Sequence, residues 1–176
     1  MHIINAILSV VVAVTFLSQD PYSYEWNKKS TLKAEHQVEF PGIVLDPGVY
    51  VVRLKESSER RSEVQILNQS ESQVLATVFA VPDLRVRPDD NSEFLFHEVK
   101  SKGPRPVRSW FFSGDLVGLE FVYPEARAKE IAKDSEDHVM ASNDSKSGPI
   151  VAVTPNGKEI VIDDGPAAQI ARRKPQ

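Results

Sequence analysis

Three groups of side chains are of types that could do chemistry, and their spacing decides which could. The first is an aromatic and basic stretch, Arg105, Arg108, Trp110, Phe111 and Phe112. Three consecutive aromatics on a strand cannot share one face, because side chains alternate. Trp110 and Phe112 go one way and Phe111 the other. With one face in the core, a ring is left outward beside Arg105 and Arg108, able to stack on a sugar or to receive a peptide. The plainer outcome is that a second layer, a helix or a C-terminal hairpin, covers that ring.

The second group is acidic. Glu39, Asp83, Glu98, Asp115 and Glu120 lie near apolar runs. A polymer hydrolase needs two such groups facing each other across a cleft. Asp83 and Asp115, with His97, form the acid–base set to test. Each also has a structural reading. Asp115 follows Ser113-Gly114 as a turn former, Asp83 caps a turn after Val81-Pro82, and His97 sits half-exposed on a strand with Glu98 on its other face.

The third group is the histidines. His2, His36, His97 and His138 are never paired at i,i+2 or i,i+4, so no zinc spacing exists. Asp89-Asp90-Asn91 lacks the alternating ligands of a calcium loop and reads as a polar turn. The chain has no cysteine, which excludes a disulfide scaffold, a thiolate metal site and a cysteine nucleophile. No G-x-S-x-G elbow and no glycine-rich phosphate loop occurs. Neither a metal nor a cofactor is expected.

The elements that must position these groups are mostly short strands. The 176 residues bound the chain to one domain with tails. With 41% hydrophobic and 26% charged residues it is neither a disordered chain nor a polytopic membrane protein. A net charge of −4 argues against a nucleic-acid partner. Apolar runs recur between about Leu32 and Tyr123: Tyr50 to Leu54, Val64 to Ile66, Val74 to Val81, Glu93 to Val99, Val107 to Phe112 and Leu116 to Tyr123. Val74 to Val81 is apolar on both faces apart from Thr77, which predicts a central strand covered on both sides. Pro41-Gly42, Asp46-Pro47-Gly48, Arg87 to Asn91 and Ser113-Gly114-Asp115 supply the reversals. Glu56 to Glu63 is nearly all Glu, Ser and Arg and reads as a solvated hairpin tip. This pattern predicts an all-β antiparallel sandwich of Greek-key, immunoglobulin- or transthyretin-like type.

One helix is expected after Tyr123-Pro124-Glu125, with Ala128, Ile131 and Ala132 on its buried face, a Glu125–Lys129 pair, and an end near Asp134. Residues 134–149 are polar and read as a linker. Ile150 to Val153 and Ile160 to Ile162 flank Thr154-Pro155-Asn156-Gly157-Lys158, a hairpin built on a type I turn and a left-handed glycine. A lone hairpin is marginal in water, so this one should dock on the main domain or on a partner. The chain thus divides into 1–18, a signal peptide; 19–133, the sandwich domain ending in the helix; 134–149, the linker; 150–163, the hairpin; and 164–176, a disordered tail.

The signal-peptide reading rests on the apolar run from Ile3 to Leu17, which at about 15 residues is short for a membrane span of roughly 20. It predicts export to the periplasm or medium. Contact with a membrane is expected only through an uncleaved N-terminal segment.

Leu45-Asp46-Pro47-Gly48-Val49-Tyr50 resembles the L-x-P-G-x-Y turn of transthyretin-like and carboxypeptidase-regulatory-like sandwiches. A tyrosine so placed folds back to bond the backbone a few residues upstream. A broader resemblance joins Val38-Glu39-Phe40-Pro41-Gly42, this turn, Ala76 to Asp83, Trp110 to Asp115 and Gly118 to Pro124. On these residues the chain resembles a family of small exported β-rich proteins of soil bacteria such as the Acidobacteria, over roughly residues 30–133. The resemblance implies secretion and a β-rich domain and brings no activity with it.

The functional expectation is a non-catalytic binding or structural module of the cell envelope, taking a glycan, peptide or protein partner, with Trp110, Phe111, Arg108 and Arg105 as the ligand-binding set. One alternative is a small hydrolase of cell-wall or extracellular polymer using Asp83, Asp115 and His97. Another is an accessory subunit that docks through the C-terminal hairpin.

Overall fold

The computed structural model describes residues 28–57, 61–91 and 93–163. The expected signal peptide at 1–18 and tail at 164–176 lie outside the described residues. Twelve strands and one helix follow in chain order: β1 (Lys29–Ala34), β2 (Val38–Phe40), β3 (Ile43–Leu45), β4 (Gly48–Ser57), β5 (Ser62–Asn68), β6 (Val74–Leu84), β7 (Glu93–Phe96), β8 (Arg105–Phe111), β9 (Val117–Phe121), α1 (Glu125–Ser135), β10 (Val139–Ala141), β11 (Ile150–Val153) and β12 (Glu159–Asp163).

The protein is all-β and sandwich-like. Nine strands form one large sheet in the order β1-β4-β5-β6-β9-β8-β2-β3, with β7 added beside β8. The sequence predicts purely antiparallel pairing. The sheet is instead mixed, because the start of β8 runs parallel to β2, with Arg105 opposite Val38. The sheet curls so that β8 comes back against β1. The indole N–H of Trp110 on β8 donates to the hydroxyl of Ser30 on β1 at 2.9 Å, although four strands separate the two along the sheet. Alternation supplies the core: Leu32, Phe40, Val52, Leu54, Val64, Ile66, Val107, Leu119 and Phe121 all point into it.

Tyr50 behaves as its motif predicts. Its hydroxyl donates to the Asp46 carbonyl at 2.8 Å, closing the turn that launches β4. The helix also matches its pattern: Ala128, Ile131 and Ala132 are its buried residues and Glu125 stands in its first turn. Pro124 cannot offer a side-chain cap, and none is made. Lys129 differs from expectation. It bonds Glu159 of β12 at 2.8 Å, tying the helix to the hairpin.

Four further expectations are corrected. Residues 134–149 are not merely a linker: β10 lies within them, pairs with β11, and buries Val139 and Ala141. Its three residues are too few to show against polar flanks, and pairing rather than composition makes them a strand. The hairpin is therefore two strands of a three-stranded sheet, β10-β11-β12. It docks on the main domain through Val151 and Val153, which join the core beside Ala128, Ile131 and Ala132.

β6 is central, yet only partly covered. Val78, Ala80 and Val81 are buried, whereas Val74 is 44% exposed. The second layer reaches only the far half of the strand, where Val81 packs with Val122 and Ile150. Arg61, placed by sequence in a solvated tip, bonds Asp163 at 2.7 Å and the carbonyls of Ser145 and Gly148 at 2.9 and 2.6 Å. His97 lies beyond the end of β7 and is 2% exposed, not half-exposed.

Candidate functional site

The aromatic stretch does not form an open patch. Trp110 is fully buried, stacked on Phe94 at 6.0 Å and edge-on to Phe112 at 4.5 Å. Phe111 does face the other way, as alternation requires, but it is only 1% exposed. The guanidinium of Arg85 lies 5.1 Å from its ring centre, and Gly118 of β9 brings bare backbone against it. Among the described residues, an arginine and a glycine thus close over the ring. Arg105 is half-exposed over Phe96, 4.5 Å from the ring centre. Arg108 turns instead to Asp137, with Nη1 2.9 Å from Oδ2. The four residues of the expected ligand set therefore do not converge on one surface.

The expected acid–base set is also divided. Asp115 sits in the β8–β9 turn and pairs with Lys28. Asp83 accepts the Ser109 hydroxyl at 2.7 Å and the Leu84 amide at 2.8 Å. The ring of His97 packs 6.4 Å from that of Tyr123, and its Nδ1 has no hydrogen-bond partner among the described residues.

A polar cluster does form beside Asp83, centred on Glu120. β9 places Glu120 on the face opposite Leu119 and Phe121, between Val81 of β6 and Ser109 of β8. Arg108 reaches it because β8 bulges: Leu95 pairs with Ser109 and Phe96 with Val107, so Arg108 is the extra residue and leaves the regular alternation. Asp137 and His138 arrive from the α1–β10 connection. Arg108 Nε and His138 Nε2 stand 3.7 and 3.9 Å from Glu120 Oε1, beyond hydrogen-bond length, and His138 Nδ1 lies 3.1 Å from Asp137 Oδ1.

Glu120 is 4% exposed, and burial pushes its carboxyl up to about 8. The charge of Arg108 opposes that shift, while Asp83 and Asp137 reinforce it. Burial, then the charge of Arg108, holds the His97 imidazole down at about 4. At neutral pH Glu120 is largely protonated and His97 neutral. A protonated carboxyl can act as a general acid, but this one is closed off from solvent, and the Ser109 hydroxyl beside it is engaged by Asp83. Among the described residues no group of three or more His, Asp and Glu side chains is placed to hold a metal ion. Asp137 and His138 escape sequence reasoning because they belong to a stretch that reads as linker.

The second feature is an open strand. β12 ends the three-stranded sheet, and among the described residues no strand pairs with its outer edge. Ile160, Val161 and Ile162 are 46%, 60% and 53% exposed. The turn before it forms as its sequence predicts: Gly157 has φ +80° and its amide donates to the Thr154 carbonyl at 2.8 Å. Arg61 and Lys129 hold the two ends of the strand through Asp163 and Glu159. The sequence alone marks this hairpin for docking, but not which of its strands stays open.

Comparison of the chain with protein-family models, with curated proteins and with solved structures finds no match.

Proposed function

We propose that this chain is an exported, non-catalytic binding module of the cell envelope that engages a protein partner through its C-terminal sheet. The observation that carries the reading is β12, a strand with an open edge and three consecutive exposed aliphatic side chains. Soluble proteins normally blunt such an edge with charge, proline or a cover. Export rests on the apolar run Ile3 to Leu17 and on the resemblance to small exported proteins. The buried aromatic stretch leaves a glycan platform without support, so a protein partner is favoured over a sugar.

The test is retention of partners from an envelope extract by the immobilised full chain. Reproducible retention of an envelope protein supports the module, and retention of nothing contradicts it. Mass spectrometry of the chain recovered from the producing cell tests export: loss of the first residues is expected, and an intact Met1 on a protein confined to the cytoplasm contradicts it.

A further inference from the structure

We propose that the apolar end of β6, Leu84 and Val86, is the seat of the chain's own segment Tyr22 to Trp26, whose aromatic side chains cover it. This surface lies apart from β12 and does not depend on the binding-module reading.

The core face of β6 runs past its cover. Val78 and Ala80 are buried in the core, and Leu84 has the same phase along the strand. Its cross-strand partner Val117 likewise continues the row of Leu119 and Phe121. Yet Leu84 is 75% exposed, and Val86 just beyond it 95%. Covering these two removes apolar surface from water.

The chain enters the fold at this same end. Lys28 is the first described residue. Its carbonyl accepts the Leu54 amide at 2.9 Å, so it continues β1 alongside β4. Its ammonium pairs with Asp115 in the β8–β9 turn and lies 4.3 Å from the Phe112 ring centre. The next residue of that turn, Leu116, accepts the Arg85 amide at 3.0 Å, between Leu84 and Val86.

Phase selects the occupant. Along β1, Ser30 and Leu32 are buried while Lys29 and Thr31 are exposed, so even-numbered residues face the core. Lys28 obeys the rule, since its side chain reaches Phe112. Tyr22, Tyr24 and Trp26 are the even positions before it, with Ser23 and Glu25 between them. The alternation of β1, carried backward, sets three aromatic rings on the side of Leu84 and two polar residues on the other. At about 3.3 Å per residue, Trp26 reaches roughly 7 Å beyond Lys28 and Tyr22 roughly 20 Å. A segment tethered this closely meets its seat at an effective concentration on the order of mM, far above that of a second copy in dilute solution.

Trp26 and Trp110 are the two tryptophans of the chain, which supplies the test. Acrylamide quenching of their emission is measured on the chain recovered from the producing cell. Trp26 remains on it whether or not residues 1–18 are removed. Both indoles should be shielded, with a quenching constant at least threefold below that of the urea-unfolded chain. Replacing both seat residues, Leu84→Ser with Val86→Ser, should raise quenching at least twofold and shift the emission to the red. Both sites are exposed, so the unfolding midpoint should stay within a few degrees of the parent. In a Trp26→Phe background the same double change should leave quenching as it was.

Strong quenching of Trp26 in the parent, or quenching that the double change leaves unaltered, overturns the proposal. A dimer in sedimentation that the double change dissociates also overturns it, by making a second copy the cover. Retention of an envelope protein that the double change abolishes does the same, by giving the seat to that protein.

Discussion

The indole N–H of Trp110 donates to the Ser30 hydroxyl at 2.9 Å, joining two strands far apart in one sheet. The most conspicuous aromatic of the sequence is thereby a clamp across the fold and not a ligand platform. Trp110→Phe keeps most of the ring and leaves the buried Ser30 hydroxyl unpaired, at a cost of about 1–3 kcal/mol. Trp110→Ala also opens a cavity and should cost about 3–5 kcal/mol. Urea unfolding measures both, and oligosaccharides should leave the Trp110 emission unchanged.

The buried Glu120 predicts a pH dependence with a definite sign. Its carboxyl titrates near 8 when folded and near its ordinary 4.5 when unfolded. The folded state thus holds more protons between these values, so this group's contribution falls as pH rises from 4.5 to 8. His97 acts oppositely: held near 4 when folded against 6.5 unfolded, it makes stability rise over that lower window. The two oppose each other between 4.5 and 6.5, leaving Glu120 alone above. Stability of the parent should drop between pH 6.5 and 8 by an amount on the order of 1–2 kcal/mol. In Glu120→Gln that drop should vanish. Urea midpoints across this range check it.

Arg61 anchors the outer strand. Its guanidinium reaches Asp163 and the carbonyls of Ser145 and Gly148, with little of either charged side chain exposed. Arg61→Met should leave a nearly buried carboxylate without this cation and cost about 2–4 kcal/mol. Hydrogen exchange should quicken in β11 and β12 first, with β4 and β5 following only on global unfolding.

Gly118 is required by contact. A Cβ there would lie 2.5 Å from Phe111 Cδ1 and 2.7 Å from the Trp110 carbonyl oxygen. Gly118→Ala should lower stability by about 1–3 kcal/mol through overpacking. Thermal unfolding of this variant beside Gly103→Ala, whose Cβ meets open space, separates the contact from a general effect of replacing glycine.

Local signals in the sequence carry far, and their limit is tertiary. The turn at Asp46 to Tyr50, the buried face of α1 and the Gly157 hairpin each follow from spacing within a few residues, and each forms as read. Arg108 could not be placed that way, because a bulge moves it off the strand's period. β10 was illegible because Val139 and Ala141 become a strand only beside β11 and Tyr123. The cover over Phe111 depends on Arg85, distant in sequence and brought close by the sheet. Asp137 meets Arg108, and His138 approaches Glu120, only because the chain returns to the sheet after α1.

The central claim is that the open edge of β12 binds a partner strand, and amide exchange at Val161 tests it most directly. In the free chain this outward amide should exchange rapidly, while that of Ile160, bonded to β11, is slow. Saturation with an envelope protein that the chain retains should slow exchange at Val161 at least tenfold and leave Ile160 nearly unchanged. An unaltered Val161 amide in that complex would contradict the account.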